Sequence, residues 1–246
     1  MWKWLHPYAK SETQYRLLGK IQPLFGVLSL VLLTVAFVWG LAFAPKDYQQ
    51  GDSYRLIFIH VPAAIWSMGV YGSMAVAALI ALVWQIRQAN LAMISMAPIG
   101  AVFAFISLFT GAVWGKPMWG TWWVWDARLT SALVLFFLYL GVMALYSAFQ
   151  DRTIGAKAAG ILSIVGVINL PIIHFSVEWW NTLHQGATIT KFDKPSMATE
   201  MLIPLLLAIF GSMIFMIWLS ILRYRSALLK DERKRPWVRE LAKLSK

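Results

Sequence analysis

Residues 88–115 read QANLAMISMAPIGAVFAFISLFTGAVWG, a run of 28 positions without a charged side chain. A helix of about 20 predominantly apolar residues crosses the roughly 30 Å hydrocarbon core of a bilayer, so this run is long enough to span a membrane. Five further uncharged runs are also 20 residues or longer. They cover 21–45, 56–86, 129–150, 158–177 and 201–222.

These six runs predict an all-α integral membrane protein. Lipid offers backbone groups no water partner, and the runs lack the short alternation of a membrane barrel, so helices are expected. Residues 1–246 would form one six-helix membrane domain. The predicted spans are about 21–45, 60–85, 93–115, 129–150, 158–177 and 201–222.

The composition of the 246 residues excludes other classes of protein. Hydrophobic residues make up 59%, charged residues make up 13% and the mean hydropathy is +0.63, which excludes soluble globular and disordered chains. Cysteine is absent, which excludes disulfides, thiolate metal sites and thioether attachment of a cofactor. A GxxxxGK[ST] phosphate loop is also absent, so we expect neither ATP hydrolysis by that route nor an enzyme.

The distribution of charge predicts the orientation in the membrane. Six spans place both termini on one side, which carries 16 of the 22 Lys and Arg residues and 5 of the 11 Asp and Glu residues. The positive-inside rule makes this side cytoplasmic and predicts no nucleic-acid partner. The basic tail 223–246 is interpreted as a topology determinant on anionic lipid, with docking of a cytoplasmic partner as the alternative.

The second outer connection, 116–128, is unusually rich in tryptophan. It reads KPMWGTWWVWDAR, and with Trp114 it gives five tryptophans in twelve residues. Helical spacing would place Trp119, Trp122, Trp123 and Asp126 on one face, which predicts a short amphipathic helix lying in the periplasmic membrane interface. Anchoring at the interface normally uses fewer indoles, so the segment suggests an aromatic shelf for a flat amphipathic ligand.

Cations beside this shelf are candidates for the polar edge of such a ligand. Arg128 and Lys116 are both suitable. A pairing of Arg128 with Asp126, or a role at the helix end, is an equal alternative.

Two histidines from different helices lie on the same side as the shelf. His60 begins the second span, and His184 lies in the third outer loop, 178–200. Without cysteine or clustered carboxylates they would make a poor closed zinc site. Imidazoles above and below a planar macrocycle form a complete axial set for haem. His174, near the outer end of the fifth span, receives no assigned role.

Residues 119–130, WGTWWVWDARLT, resemble the tryptophan-rich WWD signature of haem-handling proteins of cytochrome c biogenesis. Six spans, one such motif and this length are similar to the CcmC family, the haem exporter protein C family of bacterial cytochrome c maturation. The segments IHVP at 59–62 and PIIHFSVEWWNTLH at 171–184 extend the resemblance over essentially the whole chain.

The resemblance implies a protein of the bacterial inner membrane that binds haem b noncovalently at its periplasmic face. His60 and His184 match the family's axial ligands to the haem iron, and Arg128 is a candidate propionate contact. The expected haem platform comprises Trp114, Trp119, Trp122, Trp123, Trp125 and Asp126.

The resemblance also implies partners. The family loads haem onto a periplasmic haem chaperone, CcmE, through a covalent bond to a chaperone histidine. The ABC transporter subunits CcmA and CcmB and the small membrane protein CcmD complete the family complex. Any ATP hydrolysis would come from the ABC transporter.

Two other classes compete with haem delivery. A membrane electron carrier of the b-cytochrome kind would place its histidines well inside the bundle, whereas His60 and His184 lie at or outside the ends of spans. A transporter for an amphipathic solute would use the bundle itself. The six uncharged runs count against an ion-coupled mechanism, because intramembrane charges usually mark such paths.

Overall fold

The computed structural model describes residues 8–186 and 194–244. Residues 187–193 of the predicted outer loop and residues 245–246 of the basic tail lie outside them. The described residues form eight α-helices and no β-strand. The helices are α1 Ser11–Val38, α2 Ile57–Trp84, α3 Arg87–Trp119, α4 Ala127–Ala148, α5 Arg152–Val165, α6 Asn169–Trp179, α7 Thr199–Asp231 and α8 Pro236–Leu244.

Six helical segments within the described residues are long and apolar enough to cross a membrane, which confirms the predicted six-span fold. Their bounds are Ser11–Phe43, Asp52–Trp84, Arg87–Trp119, Ala127–Ala148, Arg152–Trp179 and Thr199–Asp231. The fifth segment joins α5 to α6 through one 3₁₀ turn, Gly166–Ile168. Several segments exceed the uncharged runs because a helix continues through charged residues once it leaves the hydrocarbon core.

Two buried tyrosines hold the centre of the bundle together. The rings of Tyr71 on α2 and Tyr139 on α4 meet edge to face with their centroids 5.1 Å apart. The Tyr139 hydroxyl donates to the Ser67 carbonyl at 2.6 Å, and the Tyr71 hydroxyl donates to the Leu162 carbonyl at 3.2 Å. A Cβ at Gly100 would lie 2.1 Å from the Tyr139 ring, so glycine lets α3 approach α4. The core therefore couples α2, α3, α4 and α5 with its polar groups satisfied.

The remaining helices complete the bundle around this core. α2 packs along α3, α1 packs along α7, and α7 crosses α2 and α3. The bundle has two ends. We call the end formed by residues 39–56, 120–126 and 180–186 the histidine end, and the end that holds the α4–α5 connection and α8 the basic end.

The basic end is tied together by one carboxylate. Arg87, at the start of α3, pairs with Asp231, the last residue of α7, and with Glu232, which follows it. Glu232 also accepts hydrogen bonds from the Ser11 hydroxyl and the Trp237 indole, each at 2.7 Å. Burial raises the pKa of Glu232, but the hydrogen bonds from Ser11, Trp237 and Arg87 outweigh it and bring this pKa below its usual value. The first, third, seventh and eighth helices therefore meet at a satisfied network.

The tryptophan-rich connection does not form the predicted amphipathic helix, and that prediction is wrong. α3 continues through Lys116 to Trp119, and Gly120 then ends it with a φ of 75°, a conformation that glycine adopts without strain. The Thr121 hydroxyl bonds locally to the backbone of Trp123, which competes with helix formation. Residues 120–126 are consequently non-helical, and α4 begins at Ala127.

Candidate functional site

A cavity of about 310 Å³ lies at the histidine end. Residues from α2, α3, α4, α6 and α7 border it, together with Gln50 and the segment 180–186. It adjoins a smaller inner cavity of about 60 Å³, which is closed on one side by α4. His60, Arg128 and His184 border both cavities. The tertiary structure thus brings the predicted histidine pair and the predicted cation to one place.

His60 lies in the first turns of α2, and its ring is held by α3. Its Nδ1 is 3.1 Å from the Thr110 hydroxyl oxygen. The Trp114 ring meets the imidazole edge to face with the centroids 5.8 Å apart, and the Trp114 indole donates to the Gln50 side chain at 2.9 Å. A Cβ at Gly111 would lie 3.0 Å from Cε1 of His60, so glycine leaves room for the ring.

His184 lies in the non-helical segment after α6. Its ring packs on the Trp119 ring with the centroids 4.9 Å apart, and its backbone N–H donates to the Thr182 hydroxyl at 3.2 Å. The ring Nδ1 is buried and has no hydrogen-bond partner among the described residues. Burial, with the positive charge of Arg128 and the nearby His60, lowers the pKa of His184 to about 3. The ring is therefore neutral at pH 7, the form in which imidazole binds a metal.

Arg128 is the cation of this site. It lies in the first turn of α4, and within residues 8–186 and 194–244 its guanidinium has no side-chain partner. The alternative pairing with Asp126 is not formed. Asp126 instead caps α4, since its Oδ1 accepts from the Leu129 N–H at 2.8 Å, while its Oδ2 is buried without a partner. A partly buried cation that forms no salt bridge favours an anionic ligand.

The tryptophans of the signature divide into two groups. Trp114 and Trp119 border the large cavity. Trp123 borders the inner cavity, and its indole nitrogen is buried without a partner in the part of the chain that the structure describes. Trp122 and Trp125 are 56% and 75% exposed and border neither cavity. Because the segment is non-helical, its indoles do not form the single flat face that helical spacing predicts.

Several residues of the cavity have no part in the sequence-based prediction. His174 and Glu178 lie four residues apart on α6 and both border the large cavity. Thr110 and Gly111 lie on α3 against His60. The i, i+4 spacing of His174 and Glu178 shows that these two can share a helix face, but spacing alone does not show which neighbour that face meets.

Comparison with known proteins agrees with this architecture. A family model described as heme exporter protein C matches residues 4–239. The chain belongs to the heme exporter protein C family. It is 72% identical over 246 residues, 100% of both chains, to Heme exporter protein C of Haemophilus influenzae. It is 59% identical over 242 residues to the Escherichia coli (strain K12) protein of that name, covering 98% of this chain and 97% of the relative.

A more distant relative has the same name. The chain is 46% identical over 214 residues to Heme exporter protein C of Bradyrhizobium diazoefficiens, covering 87% of this chain and 81% of that protein. The predicted resemblance to this family is therefore confirmed over essentially the whole chain. The six apolar helices make this chain a multi-pass membrane member of it.

Proposed function

We propose that this protein binds haem b noncovalently at its histidine end and delivers it to a periplasmic haem chaperone during cytochrome c maturation. The convergence of His60, His184 and Arg128 on one cavity carries the proposal. Two imidazoles would supply axial ligands for iron, and the unpaired guanidinium would supply a partner for a propionate. The family's name, which concerns haem export, supports this ligand.

The binding site we propose is narrower than the full tryptophan signature. Trp114, Trp119 and Trp123 border the cavities and would pack against the porphyrin. Asp126 would contribute indirectly, because its cap fixes the first turn of α4 and hence the position of Arg128. Trp122 and Trp125, which are exposed, would lie in the membrane interface.

The proposed setting is the bacterial inner membrane, with the histidine end in the periplasm and both termini in the cytoplasm. The positive-inside rule supports this orientation, because the basic end carries the net charge of the chain. The proposed recipient is the chaperone CcmE, and the proposed complex includes CcmA, CcmB and CcmD. Since the chain has no phosphate loop, the ABC subunits would supply any ATP hydrolysis.

The absorption spectrum of the purified protein tests this proposal. Wild type, His60→Ala and His184→Ala would be expressed in haem-replete cells, with and without CcmE, and their oxidised and reduced spectra recorded in detergent. We expect a six-coordinate b-type spectrum in the wild type and its loss or alteration in both variants, since each removes one axial ligand. Transfer would be measured as the amount of chaperone that carries covalent haem. We expect this amount to be smaller with either variant than with the wild type.

His174→Ala is the matched control, because His174 borders the same cavity and is not a proposed ligand. It should keep the wild-type spectrum. Unchanged spectra in both His60→Ala and His184→Ala would reject the axial assignment. A wild type without haem would reject haem binding itself and favour the solute transporter.

A further inference from the structure

The two histidines at the cavity differ in how their rings are held. The His60 ring has a side-chain hydrogen bond to Thr110. The His184 ring has no hydrogen bond to the residues that the structure describes, and its Nδ1 is buried without one. Hydrogen bonds from a second residue orient a metal-binding imidazole and raise its basicity, so this difference bears on how firmly each histidine would hold iron.

Thr110 determines which ring nitrogen of His60 carries the proton. Its hydroxyl hydrogen is donated to the Ile106 carbonyl at 2.6 Å, along the helix that carries it. The hydroxyl oxygen can therefore only accept from His60, and Nδ1 at 3.1 Å must be the N–H donor. Nε2 of the neutral ring is then left with its lone pair. Thr110 thus presents His60 in the tautomer that binds a metal through Nε2.

Packing around His60 supports the same orientation. A Cβ at position 111 would lie only 3.0 Å from Cε1 of the ring, so the imidazole lies directly against the α3 backbone. Trp114 packs against its edge and is itself anchored by the hydrogen bond to Gln50. Thr110, Gly111 and Trp114 lie at positions i, i+1 and i+4 of one rigid helix, so the ring is held by a continuous surface.

His184 has a different environment. It is not part of a helix, and the bond from its backbone N–H to Thr182 leaves its ring free of that constraint. Packing on Trp119 is the only ring contact described for it. No described residue selects between its two tautomers.

We propose that the two axial ligands differ in how readily they leave the iron. His184 is displaced first when haem leaves the protein, while His60, positioned by Thr110, stays bound to the iron until haem is released. This inference depends on the proposed function. In the exchange, the bond between the His184 ring and iron would break, and its electron pair would stay on the imidazole. The incoming ligand donates a pair in its place, and the oxidation state of the iron does not change. Thr110 is a positioning residue in this scheme, because it acts through His60.

Carbon monoxide tests which histidine leaves, because it replaces one axial ligand of ferrous haem. The protein would be reduced with dithionite in detergent, and the iron–carbon stretching band of the carbonyl form recorded by resonance Raman. We expect the wild-type carbonyl to match that of His184→Ala, in which only His60 remains. A match to His60→Ala would overturn the inference.

Thr110→Val and Thr110→Ser give a second test that keeps both histidines. Valine removes the acceptor for Nδ1–H with little change of volume, whereas serine retains it. We expect Thr110→Val to shift the iron–carbon band of the wild-type carbonyl and to weaken haem binding by about tenfold or more, as loss of such a partner does at other metal sites. Thr110→Ser should restore both. An unshifted band in Thr110→Val would mean that His60 is not opposite the carbonyl.

These outcomes are distinguishable from failure of the proposed function. A wild type without haem would reject the haem site as a whole. If the wild type binds haem but its carbonyl band matches that of His60→Ala, only the proposed order of ligand release is rejected. The same holds if Thr110→Val does not shift the band. If Thr110→Val does not retain haem, the histidine variants decide the question by the first comparison.

Discussion

The two ends of the bundle contain similar residue types and treat them differently. At the basic end, Arg87 pairs with Asp231 and Glu232, and Glu232 accepts further bonds from Ser11 and Trp237. At the histidine end, Arg128 has no side-chain partner among the described residues. The basic end is closed here by its own side chains, whereas the cavity at the histidine end has unused bonding capacity, although Arg55 at that same end is paired with Asp52.

The distribution of unpaired polar atoms makes the same distinction. Five buried side-chain atoms lack a hydrogen-bond partner within residues 8–186 and 194–244. Three of them, in Trp123, Asp126 and His184, lie at the histidine end, and the others are in Trp218 and Arg225. Folded proteins satisfy nearly all buried polar groups, so a cluster of exceptions beside a cavity is expected where a ligand completes the bonding. A ligand site can therefore be located from the buried polar atoms that a structure leaves without hydrogen-bond partners.

The largest difference in haem affinity should be between variants that lack Arg128 and variants that lack Arg87. Arg128→Ala is expected to weaken haem binding by about 10- to 100-fold, since a hydrogen bond to a charged group contributes roughly 1.5–3 kcal/mol. Arg87→Ala should leave haem affinity unchanged and lower the melting temperature slightly, because partly exposed ion pairs contribute at most about 1 kcal/mol. Haem titration of both purified variants measures this. An equal loss of haem in Arg128→Ala and Arg87→Ala would show that the two ends do not differ in this way.

Glycine at position 111 should be the next most sensitive. Gly111→Ala places a methyl group 3.0 Å from the His60 ring and should displace the ring from Thr110. We expect about a tenfold loss of haem affinity, as for other changes behind a metal ligand. Gly72→Ala is the matched control on α2, since its Cβ would meet only Leu170 at 3.8 Å. If Gly111→Ala binds haem as tightly as Gly72→Ala does, the close packing of the His60 ring against Gly111 does not matter for haem binding.

Two helix caps offer a matched pair across the ends. Asp126 caps α4 at the histidine end, and Asp151 caps α5 at the basic end by accepting from the Thr153 N–H at 2.7 Å. Asp126→Ala should cost about 1 kcal/mol of stability and also reduce haem content, because it loosens the turn that carries Arg128. Asp151→Ala should reduce stability without affecting haem. Thermal melting and haem content of the same samples test both, and haem loss in Asp151→Ala would refute the distinction.

The smallest effects should separate the tryptophans of one motif. Trp122→Phe and Trp125→Phe are expected to change haem affinity by less than about twofold, since both indoles are exposed outside the cavities. Trp119→Phe should cost about three- to tenfold, because an aromatic pair contributes roughly 0.5–1.5 kcal/mol beyond its buried area. Haem titrations of the three variants give the ranking. An effect at Trp122 as strong as that at Trp119 would restore the flat shelf that helical spacing predicts.

Much of the fold could be predicted because transmembrane helices have a local signal. Uncharged runs such as 88–115 exceed the length needed to cross a bilayer, and the structure places a spanning helix at each of them. The family could also be predicted, since residues 119–130 carry a long and specific motif. The absence of a separate helix over 116–128 could not be predicted. The helical spacing of the tryptophans does not show that Gly120 and Thr121 form a turn there.

The six spans, the concentration of positive charge at one end and the family signature can be identified from the sequence alone, because each depends on residues close together in the chain. Three features needed the folded structure: Thr110 contacts His60 across 50 positions, Trp119 packs on His184, and the exposed Trp122 and Trp125 do not border the cavities. The physical reason is that such contacts depend on how each helix is rotated about its axis. That rotation is set by close packing with its neighbours, as where Gly100 admits Tyr139.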